Sequence, residues 1–167
     1  MKLPYANIDP NFEFETEVIT MPMDTRELFA RLIQCEAGGE GTDGMQAVAT
    51  VIMNRATIDY GEFSRVSQGG DVRSIITQPG QFVCMRESVG GRYNSQNVYN
   101  MSPTQEHYDI VDWALAGGRL IGVDGSLFFH NPYSSTCPTY FPTNVGVIHN
   151  RVGDHCFYLP TSYYANT

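Results

Sequence analysis

Apolar residues at helical spacing predict a helix directly after Pro22. Asp24 as the N-cap and Glu27 three positions later form a capping-box pattern, which places the start of the helix at Asp24. Gly38-Gly39 is expected to end it, since glycine favours the backbone conformation that terminates helices. The apolar stripe consists of Leu28, Phe29, Leu32 and Ile33.

A second helix is predicted to begin at residue 42 or 43 and to end at residue 55 or 56. Its apolar stripe consists of Met45, Val48, Ala49, Ile52 and Met53. A short helix capped by Asp71 is predicted to run to residue 77.

Ser102, Pro103 and Gln105 suit the N-cap, N1 and N3 positions of a further helix. This helix is therefore predicted to begin at Ser102 and to end at Gly117-Gly118, with His107 on its exposed face. Its buried stripe is expected to be Tyr108, Val111, Ala114 and Leu115.

Short β-type runs replace the helical pattern after Gly125. They cover residues 126–130, 139–141, 145–148 and 155–159. The stretch 150–154 is expected to turn a hairpin. Helices followed by strands predict an α+β fold, mostly helical, with a small antiparallel sheet in the C-terminal third.

Residues 1–23 show no periodicity, which predicts an extended N-terminal arm, and residues 24–167 are expected to form one domain. Within that domain, the Gly- and Asn-rich stretch 90–100 is predicted to be a surface loop. No apolar run reaches the length of a membrane span, and the start of the chain lacks the apolar core of a secretory signal. The chain is expected to act in a cytosol, to leave by lysis or assembly, or to have lost a leader.

The formal net charge of −8 argues against nucleic acid as a partner, because phosphate binding needs clusters of Lys and Arg. Any other anionic polymer would likewise have to be bound through shape, hydrogen bonds and stacking, since the charge of the chain offers it no attraction.

None of the four cysteines lies in a CxxC pair, which argues against a structural zinc site. Buried free thiols are expected, with a Cys137–Cys156 bridge as the alternative if the C-terminal strands pair. His130, His149 and His155 lie on predicted strands, but no spacing supports a metal site, so neither a metal nor a cofactor is predicted. A Cys–His protease is equally unsupported, since adjacent positions on a helix point the side chains of Cys35 and Glu36 apart and no motif assigns a catalytic histidine.

Glu36 continues the apolar stripe of the first helix, because it follows Leu32 by four residues and Phe29 by seven. Burial of a carboxyl group is costly and raises its pKa, which suits a general acid near neutral pH. Spacing alone equally allows a carboxylate that snorkels at a helix end or caps a neighbouring loop.

The segment Leu28 to Arg55, LFARLIQCEAGGEGTDGMQAVATVIMNR, closely resembles the catalytic segment of the spore cortex-lytic, SleB/CwlJ-type cell-wall hydrolases. The family pattern is a helix ending in E-A-x-G-E, followed by a helix of the form G-x-x-A-V-A-x-V-I-x-N-R. The matches are Glu36, Ala37, Gly39 and Glu40, then Gly44, Ala47, Val48, Ala49, Val51, Ile52, Asn54 and Arg55. Weaker matches are LFFHNP at 127–132 and Gln81-Phe82, and the resemblance covers roughly residues 27–158.

This resemblance implies a lysozyme-like domain similar to lytic transglycosylases, with Glu36 as the catalytic acid. It implies a glycosidase that cleaves the bond between N-acetylmuramic acid and N-acetylglucosamine in the spore cortex during germination. Some family members carry a signal peptide and a separate peptidoglycan-binding module, whereas others have neither and are deposited in the spore coat by the mother cell. This chain looks like the second kind, so a location at the spore coat or cortex boundary (otherwise the cell wall) and a spore-coat protein partner are expected.

The expected substrate-binding residues are Glu40, Phe82, Asn131, Thr136 and Tyr140. Glu40 is the candidate second carboxylate, but it is expected to bind backbone amides at the start of the second helix. Asn131 is expected to hold a turn or to donate to an N-acetyl carbonyl. Phe82 and Tyr140 are expected to stack on sugars, although aromatic residues in strands are also typical of a core. Arg55 is expected to complement the C-terminal end of its helix.

Two other functions stay open on the sequence alone. A muramidase- or glucosaminidase-type hydrolase would activate water and leave a reducing end instead of an anhydro end. A non-catalytic glycan-binding coat protein would keep the fold and be insensitive to Glu36→Gln. A vegetative or phage-derived lysis enzyme with the same domain is a further possibility.

Overall fold

Residues 23–167, the part of the chain that this computed structural model describes, begin with four helices, and four of their six strands lie in the C-terminal third. The helices are α1 (Thr25–Ala37), α2 (Gly41–Thr57), α3 (Gly61–Ser67), α4 (Val72–Thr77), α5 (Gln105–Leu115) and α6 (Ser162–Ala165). The strands are β1 (Ser88–Val89), β2 (Arg92–Tyr93), β3 (Phe128–His130), β4 (Tyr140–Phe141), β5 (Gly146–Val152) and β6 (His155–Pro160). The arm predicted over residues 1–23 falls outside the described residues, apart from Met23.

Helix α2 forms the centre of the helical core, with α1, α3, α4 and α5 packed around it. Every residue from Ala47 to Met53 is buried, because α2 is covered by neighbours on several sides. Asp24 caps α1 by accepting a hydrogen bond of 2.7 Å from the backbone N–H of Glu27. The predictions of α1, α2 and α4 are confirmed.

No helix among residues 23–167 has the length and apolar character needed to cross a membrane.

A four-stranded antiparallel sheet in the order β3-β6-β5-β4 packs next to the helices. Strand β6 is central, and its residues His155 to Tyr158 are buried. The β5–β6 hairpin turns at Gly153 and Asp154, as predicted, and a register shift lies between Ile148 and Asn150. Strands β1 and β2 form a separate small hairpin, so part of the predicted surface loop 90–100 is strand.

The predicted start of α5 at Ser102 is wrong by two residues, since Thr104 is the N-cap. The Nδ1 atom of His107 accepts a hydrogen bond of 2.8 Å from the backbone N–H of Thr104, which makes His107 the N3 partner of a capping box. His107 is consequently buried, with 8% of its surface exposed, against the predicted exposure. Leu115 is 43% exposed, so its predicted place in the buried stripe of this helix is wrong.

Helices α3 and α6 were not predicted, and they stabilise each other. The Tyr164 ring stacks on the Phe63 ring at 5.6 Å, and its hydroxyl group donates to the Tyr60 carbonyl at 2.9 Å. Gly61, at φ 74°, lies against this ring, where a β-carbon would collide with it. Both helices are too short for a periodic signal in the sequence.

The four cysteines form two disulfide bonds, Cys35–Cys84 and Cys137–Cys156. The expectation of free thiols is therefore wrong, and the alternative Cys137–Cys156 bridge is confirmed. Residue 137 precedes β4, and β6 carries Cys156. The Cys35–Cys84 bond joins α1 to the 3-10 turn Val83–Met85, a contact that no local pattern in the sequence indicates.

Candidate active site

A cleft of about 660 Å³ opens where the C-terminal end of α1 meets the sheet. The loop 80–83 forms one wall, and strands β3 and β6 contribute the other. Among the described residues that line it, only Glu36 and Glu40 carry carboxylates. The cleft therefore brings together the two acidic residues of the E-A-x-G-E segment.

Glu36 lies half-buried on the last turn of α1, at the wall of the cleft. Its Oε1 atom is buried and has no hydrogen-bond partner among residues 23–167. Burial raises the pKa of Glu36, while the backbone N–H of Cys84 and the charge of Arg55 act in the opposite direction. The balance keeps this carboxyl group protonated to higher pH than an exposed glutamate.

Arg55 lies beneath the cleft with 4% of its surface exposed. Its Nε atom donates to the Leu127 carbonyl at 2.7 Å, and Nη1 donates to Gln81 Oε1 at 3.2 Å. Its guanidinium carbon lies 4.5 Å from the centre of the Phe63 ring. Burial lowers the pKa of Arg55 to about 10, so the side chain stays charged at neutral pH. Arg55 therefore joins α2 to the loop and to the start of the sheet. The sequence had predicted only that its charge would favour the C-terminal end of α2.

Glu40 is half-buried, and its Oε2 atom accepts a hydrogen bond of 2.9 Å from the backbone N–H of Asp154 in the β5–β6 turn. The expectation that it binds amides of α2 is wrong, because α2 has no side-chain cap from this residue. Gly153, at φ 58°, allows the contact, since a β-carbon there would collide with the Glu40 carboxylate. Glu40 thus fastens the hairpin turn to the start of α2.

His130 and His155 also line the cleft, which the sequence did not predict. The Tyr158 hydroxyl group donates to the Pro138 carbonyl and lies 2.9 Å from Nε2 of His130. His155 is 8% exposed, and its buried Nδ1 atom has no partner among the described residues. Burial is the main cause that lowers the pKa of both imidazoles, which favours their neutral forms. Cys137 and Cys156 cannot join these histidines as thiolate metal ligands, since the two cysteines are bonded to each other.

Besides Glu40, two of the predicted substrate-binding residues line the cleft that contains Glu36. Phe82 is buried under the loop, 5.4 Å from the Arg55 guanidinium group, so it supports the wall from within. Asn131 lies at the opposite edge, where its Oδ1 atom accepts a hydrogen bond of 2.8 Å from the backbone N–H of Tyr133. Asn131 therefore holds a turn, and its side-chain amide nitrogen makes no hydrogen bond within residues 23–167.

The other two predicted substrate-binding residues do not line this cleft. Tyr140 is exposed and borders a separate cavity of about 500 Å³, together with residues at the start of α6. Thr136 is exposed in the loop that precedes β4. Their position depends on the path of this loop, which the sequence did not predict.

A sequence model described as cell wall hydrolase matches residues 39–158, most of the chain. The chain belongs to the cell wall hydrolase family. Members of this family act on peptidoglycan. This membership confirms the resemblance drawn from the E-A-x-G-E segment and the helix that follows it.

Two cell wall hydrolases named CwlJ are similar to this chain. The protein of Bacillus subtilis strain 168 is 29% identical over 136 residues, which cover 81% of this chain and 85% of the relative. The protein of Oceanobacillus iheyensis is 30% identical over 139 residues, which cover 81% of this chain and 86% of the relative.

Two solved structures of SleB catalytic domains have a similar fold. The domain of the germination-specific lytic transglycosylase SleB from Bacillus anthracis superposes with a TM-score of 0.56 at 22% identity, over 80% of this chain and 92% of that domain. The SleB domain of Bacillus cereus gives a TM-score of 0.57 at 23% identity, over 80% and 88% of the two chains. This cell wall hydrolase therefore has the lysozyme-like α+β fold that its sequence predicted.

Proposed function

We propose that this cell wall hydrolase is a lytic transglycosylase that cleaves the bond between N-acetylmuramic acid and N-acetylglucosamine, with Glu36 as its acid. The observation that carries the proposal is the buried carboxyl oxygen of Glu36, unpaired within residues 23–167, at the wall of a cleft. Glu36 precedes the residues that the family model matches, so its role rests on this geometry and on the resemblance of the E-A-x-G-E segment.

The first step is the transfer of a proton from Glu36 to the glycosidic oxygen. The bond from this oxygen to C1 of the muramic acid breaks, and positive charge develops on C1 and the ring oxygen. The N-acetylglucosamine residue leaves with a new hydroxyl group. Arg55 remains charged below the cleft and stabilises the Glu36 carboxylate that this step leaves behind.

The second step returns the proton to Glu36. The carboxylate accepts the proton of the C6 hydroxyl group of the same muramic acid, and O6 bonds to C1. The product is a 1,6-anhydro end, and the neutral Glu36 acid is regenerated. One carboxyl group is enough, because the nucleophile belongs to the substrate.

The contacts of Glu40 favour this one-carboxylate reaction. A hydrolase would need a second carboxylate that activates water or attacks C1. Glu40 is the candidate in this cleft, but its Oε2 atom is committed to the Asp154 amide of the hairpin turn. A water-activating reaction would have to use its other oxygen.

The proposed setting is the spore cortex during germination, with the enzyme at the spore coat or the cortex boundary. The support for this setting is the similarity to the two CwlJ proteins and to the germination-specific SleB. A spore-coat protein partner belongs to the same proposal.

The decisive experiment is a digest of purified peptidoglycan, analysed by mass spectrometry. Wild type is expected to release products with a 1,6-anhydro end, and Glu36→Gln is expected to lower their release by about 10²- to 10⁴-fold, as for loss of a general acid. Asp43→Asn, which changes an exposed carboxylate in the first turn of α2, is the matched control and should behave as wild type. Products one water heavier would mean hydrolysis, and full activity of Glu36→Gln would refute the role of Glu36.

A further inference from the structure

A second cavity of about 490 Å³ adjoins the cleft. Asn131 and Tyr133 line both, so the two cavities meet at these residues. The far side of the second cavity is polar, with Ser134, Ser135, Arg151 and Asp154. A polymer that lies in the cleft can therefore continue into this cavity across Tyr133.

The chain holds Tyr133 at this boundary in an unfavourable backbone conformation. Its φ of 51° is in the left-handed region, which bulky residues seldom adopt, and its side chain is 91% exposed. The hydrogen bond from its backbone N–H to Asn131 Oδ1 fixes the turn. No packing of the ring in the core explains this arrangement, since the ring faces outwards.

The walls of the second cavity are held by hydrogen bonds before any ligand arrives. Arg151 donates to the Gly153 carbonyl at 3.1 Å and to the Ser134 carbonyl at 2.8 Å. The Asp154 backbone is held by Glu40 from the side of the cleft. Because the side chains and backbone of this cavity are already ordered, less conformational entropy is lost when a ligand binds.

The charges around the second cavity favour an uncharged polar ligand. The Arg151 guanidinium group donates to two carbonyl oxygens and keeps its positive charge, which the neighbouring carboxylate of Asp154 balances, so the lining carries no net charge that would favour an ion. The hydroxyl groups of Ser134 and Ser135 and the amide of Asn131 match the hydroxyl and N-acetyl groups of an amino sugar. The acidic peptide stem of peptidoglycan fits this lining less well.

We infer that the second cavity binds the next sugar of the glycan strand beyond the scissile bond, with Tyr133 as the aromatic platform on which the strand rests. This inference rests on the proposed function, since it assumes that the strand lies in the cleft. A tyrosine ring offers an apolar face to the C–H groups of a sugar, while its hydroxyl group stays in water. Tyr133 is thus a substrate-binding residue that takes no part in proton transfer.

The test measures kcat and KM on peptide-free glycan strands for wild type, Tyr133→Ala, Tyr133→Phe and a control, Tyr99→Ala. Tyr99 is 56% exposed and lines neither cavity. Tyr133→Ala is expected to raise KM about tenfold with kcat unchanged, as for truncation of an aromatic anchor. Tyr133→Phe keeps the ring and should remain close to wild type, as should Tyr99→Ala.

Calorimetric binding of the same strands to Glu36→Gln, with and without Tyr133→Ala, separates this inference from the proposed reaction. An affinity about tenfold lower in the double variant would support the platform whatever bond is cleaved. An unchanged KM and affinity, a loss confined to kcat, or an effect seen only on strands that carry peptide stems would overturn it. A reaction of wild type other than the proposed one would leave the binding result intact.

Discussion

At the scale of single residues, the half-buried carboxyl group of Glu36 and the buried guanidinium group of Arg55 lie close enough for each charge to act on the other. Burial raises the pKa of Glu36 and lowers that of Arg55, and the charge of each side chain counteracts the effect of burial on the other. The Arg55 guanidinium group forms no ion pair within 4 Å with any carboxylate of residues 23–167. Its charge therefore acts on Glu36 through space, and each residue can be tested separately.

Glu36→Gln is expected to stabilise the folded protein at neutral pH and not at acidic pH. Because the pKa of Glu36 is raised in the folded state, that state binds the proton more tightly than the unfolded state does. Below the ordinary pKa of glutamate both states are protonated, and ionisation of Glu36 does not lower the stability of wild type. Wild type loses stability as the pH rises through the raised pKa, because the folded state must then hold a charged, half-buried carboxylate. We expect a higher Tm for Glu36→Gln near pH 7.5 and little change near pH 4, at about 2–4 °C per kcal/mol in a domain of this size.

Thermal melts at both pH values check this expectation, with the exposed Glu87→Gln as control. An equal shift of Tm at both pH values would contradict it, since only a titrating group makes the shift depend on pH.

Arg55→Met is expected to raise the pKa of Glu36, because the positive charge that favours its carboxylate is removed. The upper limb of the pH profile of kcat/KM should move to higher pH. Loss of the hydrogen bonds to Leu127 and Gln81 should also cost about 2–5 kcal/mol of the free energy of unfolding. Arg55→Lys keeps the charge, so its pH limb should stay near that of wild type while stability still falls. A limb that does not move in Arg55→Met would exclude the electrostatic coupling.

At the scale of elements, the Cys35–Cys84 disulfide joins the helix that carries Glu36 to the turn whose backbone faces it. Cys35 directly precedes Glu36, and Cys84 supplies the backbone N–H that acts on its carboxylate. Phe82, buried in the same loop, covers Arg55. The bond therefore holds the loop and the acid together, whereas Cys137–Cys156 tightens the sheet side.

Replacement of Cys35 and Cys84 by serine is expected to cost about 4 kcal/mol from the length of the closed loop, and of Cys137 and Cys156 about 3 kcal/mol. Only the first pair should also move the upper pH limb of kcat/KM downwards, because a loosened loop admits water to Glu36 and reduces the effect of burial on its pKa. Chemical denaturation and pH profiles of the two double variants measure both effects. Equal pH profiles would show that the Cys35–Cys84 bond contributes to stability alone.

At the scale of the whole molecule, the sequence predicted the features that residues close together in the chain determine. It did not predict the features that depend on contacts between distant segments. Helices α1 and α2 carry strong periodic patterns, the strands of the sheet are marked by short β-type runs, and Glu36 drew attention because it is a carboxylate in line with an apolar stripe. The buried position of Arg55 and the cleft positions of His130 and His155 depend on elements far apart in the chain, so no local pattern indicates them. The start of α5 was missed for a different reason, since two hydroxyl residues competed for the N-cap and His107 decided between them.

The structural role of Arg55 limits which positions of this enzyme can accept substitutions that change its ligand preference. The same guanidinium group closes the cleft from below and holds α2 to the sheet and to the loop. A substitution of Arg55, beneath Glu36, is therefore expected to destabilise the fold before it alters ligand preference. Tyr133 and the serines after it lie on a turn fastened by its own hydrogen bonds, where sequence can drift at little risk. Laboratory evolution toward other wall polymers should accordingly accumulate its substitutions along that rim.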